Sequence, residues 1–235
     1  MNENSINAVQ CETIQYPGPN GDLKGELYAP DGEMKLPGVV LIHENRGLDD
    51  HIRGIARRLA AEGFRVLAVD ALCEQGGPKA DLEQTQKAIG ALYVEHNVAN
   101  QVAAVNFLAD HPQGNGRVGC LGFCWGGGVT NQVAVASDRL NAGVVYYGKS
   151  PSPDQVPAIN APMLLHYAED DGSVNPTVPP YQAALEEHGK RYVLHQYEGA
   201  KHAFNNDTRA DRHHPQASAL AWQRTVAFLS EELKT

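Results

Sequence analysis

Arg117-Val118-Gly119-Cys120-Leu121-Gly122-Phe123-Cys124-Trp125-Gly126-Gly127 is the stretch that decides the fold. An apolar run leads into Gly-x-Cys-x-Gly, and helix-compatible sequence follows, so the order is strand, tight turn, helix. Gly122 and Gly126 suit a turn in which side chains at those places would collide. Such a turn forces the residue between them into a strained, exposed position. A nucleophile elbow normally carries serine there; this chain carries Cys124, which should face a pocket rather than the core.

Outward from this turn, short apolar strands alternate with helical patterns, the signature of a mostly parallel central sheet with helices on both faces. Asp22 to Ala29 reads as an early strand. It pairs antiparallel with residues near Thr13 to Tyr16 across the Gly18-Pro19-Asn20-Gly21 turn. Leu36 to His43 and Phe64 to Leu72 read as buried strands. Between them, Asp49 to Glu62 spaces Ile52, Ile55, Ala56 and Leu59 as one helix face, stopped by Gly63. Gly76-Gly77-Pro78 makes a loop, and Ala80 to Ala109 reads as a long helical stretch broken near Gly90 or Asn97. Leu140 to Tyr147, Pro162 to Tyr167 and Arg191 to Tyr197 are further strands. Pro180 to His188 and Pro215 to Leu233 are helices. At 235 residues, with no repeat or low-complexity linker, this is one α/β domain over residues 1–235. Residues 1–12 are expected to form a flexible N-terminal extension.

A hydrophobic content of 42% and a charged content of 20% are those of a globular protein and exclude a disordered or fibrous one. The net charge of -9 argues against a nucleic-acid partner. Cys11, Cys73, Cys120 and Cys124 form no CxxC pair and no disulfide framework, which fits a reducing compartment. No apolar run is long enough to span a membrane, and Met1 to Gln10 lacks signal-peptide character. A cytoplasmic location is expected; a leader peptide removed beforehand would leave no trace.

A cysteine nucleophile needs a base, and the base needs a carboxylate to fix its tautomer. The strand ending at Tyr167 runs into Ala168-Glu169-Asp170-Asp171, and the strand ending at Tyr197 runs into Glu198-Gly199-Ala200-Lys201-His202. Nucleophile, acid, histidine is the α/β-hydrolase order, with each group at a strand's carboxyl end. Either Asp170 or Asp171 could reach His202. Cys124 would sit at the positive end of a helix, beside an imidazolium, and both favour thiolate. The N–H of Trp125 supplies one oxyanion donor, and the loop after His43 should supply a second. His166 and His195 lie within strands and read as structural. His202, Asp207, Asp211, His213 and His214 have the chemistry of metal ligands but no HExxH-like spacing, so no metal is expected.

The elbow Gly122-Phe123-Cys124-Trp125-Gly126-Gly127, the loop His43-Glu44-Asn45-Arg46-Gly47 and the loop Lys201-His202-Ala203-Phe204 together resemble the dienelactone hydrolase (carboxymethylenebutenolidase) family of α/β-hydrolases. The likeness runs from about Thr13 to the C-terminus. It implies catalysis by Cys124, His202 and an aspartate, with no cofactor and a thioester acyl-enzyme. The family's acid is followed by two residues and a valine, which selects Asp171. The resemblance further implies that Glu44 contacts the resting cysteine and holds or accepts its proton. The N–H of Asn45 would then be the second oxyanion donor. The family's two carboxylate-gripping arginines have no counterpart, since Ala71 to Gly77 contains no arginine and Asn205-Asn206 follow His202. Arg46, Phe204 and Arg209 are the substrate-binding candidates that remain.

The expected activity is hydrolysis of a small lactone or carboxylic ester. Thiolate attack favours good leaving groups over amides, and the sequence shows no large apolar lid insertion for long acyl chains. The alternatives are a thiol-dependent acyltransferase, a redox-sensing thiol protein, or a binding module on a hydrolase scaffold. The expected partner is a small-molecule ester or lactone, with a homodimer allowed and neither nucleic acid nor membrane involved.

Overall fold

The computed structural model describes residues 9–32 and 34–234. Eight strands form one sheet in the order β1-β2-β4-β3-β5-β6-β7-β8. They are β1 (Val9–Gly18), β2 (Gly21–Pro30), β3 (Leu36–Ile42), β4 (Arg65–Val69), β5 (Gly114–Phe123), β6 (Ala142–Tyr146), β7 (Met163–Asp170) and β8 (Tyr192–Lys201). β1 and β2 form an antiparallel hairpin, and β2 also runs antiparallel to β4. From β4 to β8 every neighbouring pair is parallel. The helices are α1 (Asp50–Ala61), α2 (Leu82–Gly90), α3 (Val94–Ala109), α4 (Trp125–Ala136), α5 (Val178–Glu187) and α6 (Pro215–Leu233).

The central strands are apolar throughout because both faces are covered. Along β3, Val39 and Leu41 point into one core while Val40 and Ile42 point into the other, as the two-residue period of a strand demands. Ile52, Ile55, Ala56 and Leu59 of α1 join Ala217, Ala221 and Leu229 of α6 on the first face. Val105 and Leu108 of α3, Val133 of α4 and Leu185 of α5 fill the second. Fully burying a large aliphatic side chain contributes about 1.5–3 kcal/mol, so the helix faces are fixed by the pattern read from sequence. α1 begins where Asp49 accepts a hydrogen bond from the Ile52 N–H, at 3.1 Å.

Several boundaries differ from the sequence reading. Val9 to Glu12 pair with Leu27 to Pro30 and belong to β1, so they are not a flexible extension; the rest of that expected extension, residues 1–8, lies outside the described residues. The stretch from Ala80 to Ala109 is two helices, because α2 closes at Gly90 and α3 starts only at Val94. β7 and β8 run beyond Tyr167 and Tyr197, paired through a register shift between Ala168 and Asp170. Among the described residues no helix is long and apolar enough to cross a membrane.

The chain steps from β3 outward to β4 and then returns to place β5 on the other side of β3. In an open α/β sheet, such a reversal leaves a crevice beyond the carboxyl ends of the two strands that flank it. The loop after β3 begins at His43, and β5 ends immediately before Cys124. The connectivity thus places the elbow and the His43–Gly47 loop side by side.

Candidate active site

Cys124 caps α4 with φ 55° and ψ -115°, a conformation that a side-chain-bearing residue rarely adopts. Close packing enforces it. A Cβ on Gly122 would lie 2.1 Å from the Gly126 carbonyl oxygen, and one on Gly126 would lie 2.4 Å from that of His43. The Cys124 N–H is anchored to the Tyr146 carbonyl at 2.9 Å, tying the turn to β6. Trp125 occupies the first position of α4, where an N–H has no acceptor within the helix.

The structure brings Cys124, His202 and Asp171 into one hydrogen-bonded line. His202 Nε2 lies 3.0 Å from Cys124 Sγ, and His202 Nδ1 lies 2.5 Å from Asp171 Oδ2. Asp171 is 5% exposed, and its other oxygen accepts from the Ser173 hydroxyl at 2.9 Å and from the Val174 N–H at 3.2 Å. Burial opposes charge on both partners, but mutual hydrogen bonding outweighs it. The His202 pKa is lifted to about 10 by Asp171 and Cys124, and that of Asp171 is held below the usual carboxylate range by His202 and Ser173. Of the two carboxyls left open by sequence, Asp171 makes this contact, while Asp170 lies in β7, exposed and paired in register with Lys201.

A chain of buried groups sets the loop after β3. His43 is fully buried; its Nδ1–H donates to the Glu44 carbonyl at 2.6 Å, and its Nε2 accepts from the Ala71 N–H at 3.3 Å. Burial lowers its pKa, in keeping with the neutral ring those two bonds require. The ring stacks on Trp125 with 5.5 Å between centroids. One imidazole thereby joins the loops after β3 and β4 to the first residue of α4.

The residues 23–233 match the model of the dienelactone hydrolase family. A Salmonella typhi protein provisionally assigned as a carboxymethylenebutenolidase is 31% identical, over 95% of this chain and 88% of its own. The chain belongs to the dienelactone hydrolase family. The carboxymethylenebutenolidase of Pseudomonas putida is 28% identical over 93% of this chain and 96% of its own. A solved Klebsiella pneumoniae structure, provisionally assigned as a dienelactone hydrolase, superposes with a TM-score of 0.86. It is 29% identical, covering 95% of this chain and 99% of that one.

Within this dienelactone hydrolase family member, Glu44 departs from what the resemblance implied. Its carboxylate does not engage the cysteine. Tyr147 Oη donates to one oxygen at 3.2 Å and Asn206 Nδ2 donates to the other at 2.7 Å, leaving Glu44 3% exposed. Cys124 faces His202 instead. Phe204 is not a substrate contact either: it is fully buried, with its ring 5.3 Å from that of Tyr147 and 5.0 Å from that of Tyr197. The preceding Ala203 has φ 67°, which turns the chain inward after His202. Arg46 Nε lies 3.5 Å from Asp49 but is buried without a hydrogen-bond partner among the described residues, and Arg209 pairs with Asp211 at 3.0 Å.

Tyr147 and Asn206 are the functional-site residues that sequence reasoning missed. Tyr147 also has positive φ, 39°, and its ring centroid lies 5.1 Å from that of His202. Cys120, by contrast, is fully buried, and burial pushes its thiol up to about 12. Asp207 bonds His51, His214 caps α6, and Asp211 pairs with Arg209 and Arg212. A groove of about 1080 Å³ lies among Pro19, Val98, Phe107 and Val135 and shares no residue with the Cys124 line.

Proposed function

We propose that this family member hydrolyses small carboxylic esters or lactones through a thioester on Cys124. The observation that supports it most directly is the single line from buried Asp171 through His202 to the half-buried thiol of a residue at positive φ. In the proposed sequence, the Cys124 thiolate adds to the carbonyl carbon, forming a C–S bond and moving the π electrons onto oxygen. The N–H groups of Trp125 and Asn45 are assigned to that oxyanion. Collapse expels the alkoxide, which takes the proton from His202 Nε2. Neutral His202 then removes a proton from water as the hydroxide adds to the thioester. The second collapse returns the electron pair to sulfur, and His202 is again protonated.

Every proton and electron pair in this sequence is carried by side chains, backbone and water. Cys124 stands at the N-terminus of α4, with its Sγ 3.0 Å from His202 Nε2. The reading is tested with 4-nitrophenyl acetate. Cys124→Ala should lose essentially all turnover while retaining the far-ultraviolet spectrum and melting cooperativity of the wild type. Mass spectrometry of acid-quenched wild type should find the acetyl group on the peptide holding Cys124. Undiminished hydrolysis by Cys124→Ala would refute the mechanism.

A further inference from the structure

β8 leaves one side of the sheet open, since among the described residues no strand lies beyond it. The Arg191 carbonyl accepts from the Met163 N–H at 3.0 Å, which fixes the alternation along the strand. Arg191, Val193 and His195 bond inward to β7, while Tyr192, Leu194 and Gln196 turn their N–H and C=O groups outward. Such an edge is a template for another strand, and proteins blunt it with charges or proline. β1, at the opposite edge, carries Glu12 and Pro17. β8 has no carboxylate, lysine, arginine or proline from Tyr192 to Tyr197. Burial and the Arg224 guanidinium hold His195 below its ordinary pKa, which favours the neutral ring there too. Val193 is 46% exposed, and a groove of about 250 Å³ lined by Met163, Val193 and Phe228 runs beside it.

The charges at the two ends of the strand decide what covers it. Lys190 and Arg191 stand at its start and Glu198 near its end. A second copy running antiparallel across a two-fold axis sets basic start against acidic end. With Leu194 opposite its own copy, Val193 faces His195, Tyr192 faces Gln196 and Lys190 faces Glu198 on both sides of the axis. Moving the centre to Val193 or His195 parts Lys190 from Glu198. Centring on Gln196 opposes Arg191 to Lys201, and like charges directly opposite are destabilising. Lys190 Nζ donates to the Pro157 carbonyl at 2.7 Å and keeps its remaining N–H donors for a carboxylate.

We infer that β8 is the interface of a homodimer, pairing antiparallel about Leu194 with the β8 of a second copy so that the two sheets become one. In the separated chain β8 is an edge strand; in the dimer the strand that leads into His202 is paired on both sides.

Sedimentation equilibrium over a concentration series should find a monomer–dimer equilibrium in the wild type. Lys190→Glu and Glu198→Lys each replace attraction by repulsion at both symmetry-related pairs, and each should raise the Kd about tenfold. The double variant restores both pairs with their signs exchanged and should dimerise as the wild type does. Residue-resolved amide exchange gives a second reading. The outward N–H groups of Tyr192, Leu194 and Gln196 should exchange more slowly as protein concentration rises, while those of β1 keep their rates. A wild type that stays monomeric up to about 1 mM would overturn the inference. So would a dimer whose Kd neither charge variant raises, or whose loss the double variant does not repair, because the contact would then lie elsewhere.

Discussion

His202 is the residue at which geometry and ionisation meet. Desolvation disfavours its charged form, yet hydrogen bonds from both ring nitrogens raise its pKa to about 10. A raised pKa means that its stabilising effect is complete below its ordinary value of 6.5 and fades as pH climbs towards 10. Asp171 has the opposite sign: its contribution is present above the ordinary 3.8 and is lost as pH falls through its depressed value. The alkaline limb of kcat/KM should therefore lie near pH 10, where His202 loses its proton. Asp171→Asn removes one of the two contacts that hold the proton. It should shift that limb to lower pH and lower kcat by about 10²-fold, both read from a pH–rate profile. Proximity in sequence misleads at this scale. Phe204 stands two residues from His202, but the positive φ of Ala203 sends it into the core. Tyr147 and Asn206 carry no local motif, and only folding brings them to Glu44.

The elbow between β5 and α4 was legible because its constraint is local. A strand, a glycine on either side of one residue and a following helix leave few other conformations. What sequence does not display is what the glycines touch. Gly126 packs against the backbone of β3, and Gly148, after β6, packs against Gly127, where a Cβ would lie 2.2 Å from the carbonyl carbon. Added volume there meets backbone, which has no rotamer to relax into. Gly126→Ala should cost about 1–3 kcal/mol in urea denaturation and impair ester hydrolysis. Gly54→Ala, within α1 with nothing near its would-be Cβ, should instead stabilise the protein by about 0.5–1 kcal/mol in the same assay. The ends of β7 and β8 were read short. Their last residues alternate less clearly and are largely exposed, so hydrophobic period gives no signal, whereas pairing across the register shift does.

Across the molecule, alternation of strands and helices disclosed the layers, because each central strand must satisfy two apolar faces. The strand order was not disclosed. It depends on which neighbours pair over long separations, and the reversal at β3 that creates the crevice is visible only in the assembled sheet. The same order distributes the proposed chemistry unequally. Cys124 leaves β5, flanked on both sides by β3 and β6, whereas His202 leaves β8, which is an edge strand paired only with β7. Edge strands open at lower free energy than the middle of a sheet. On gentle heating, the base should therefore come loose while the nucleophile still holds its place. Ester turnover should fall a few degrees before the thiol of Cys124 loses its strained setting, with amide exchange in β8 rising alongside it. The durability of this enzyme as a catalyst is then set by its rim, and its durability as a folded body by its centre.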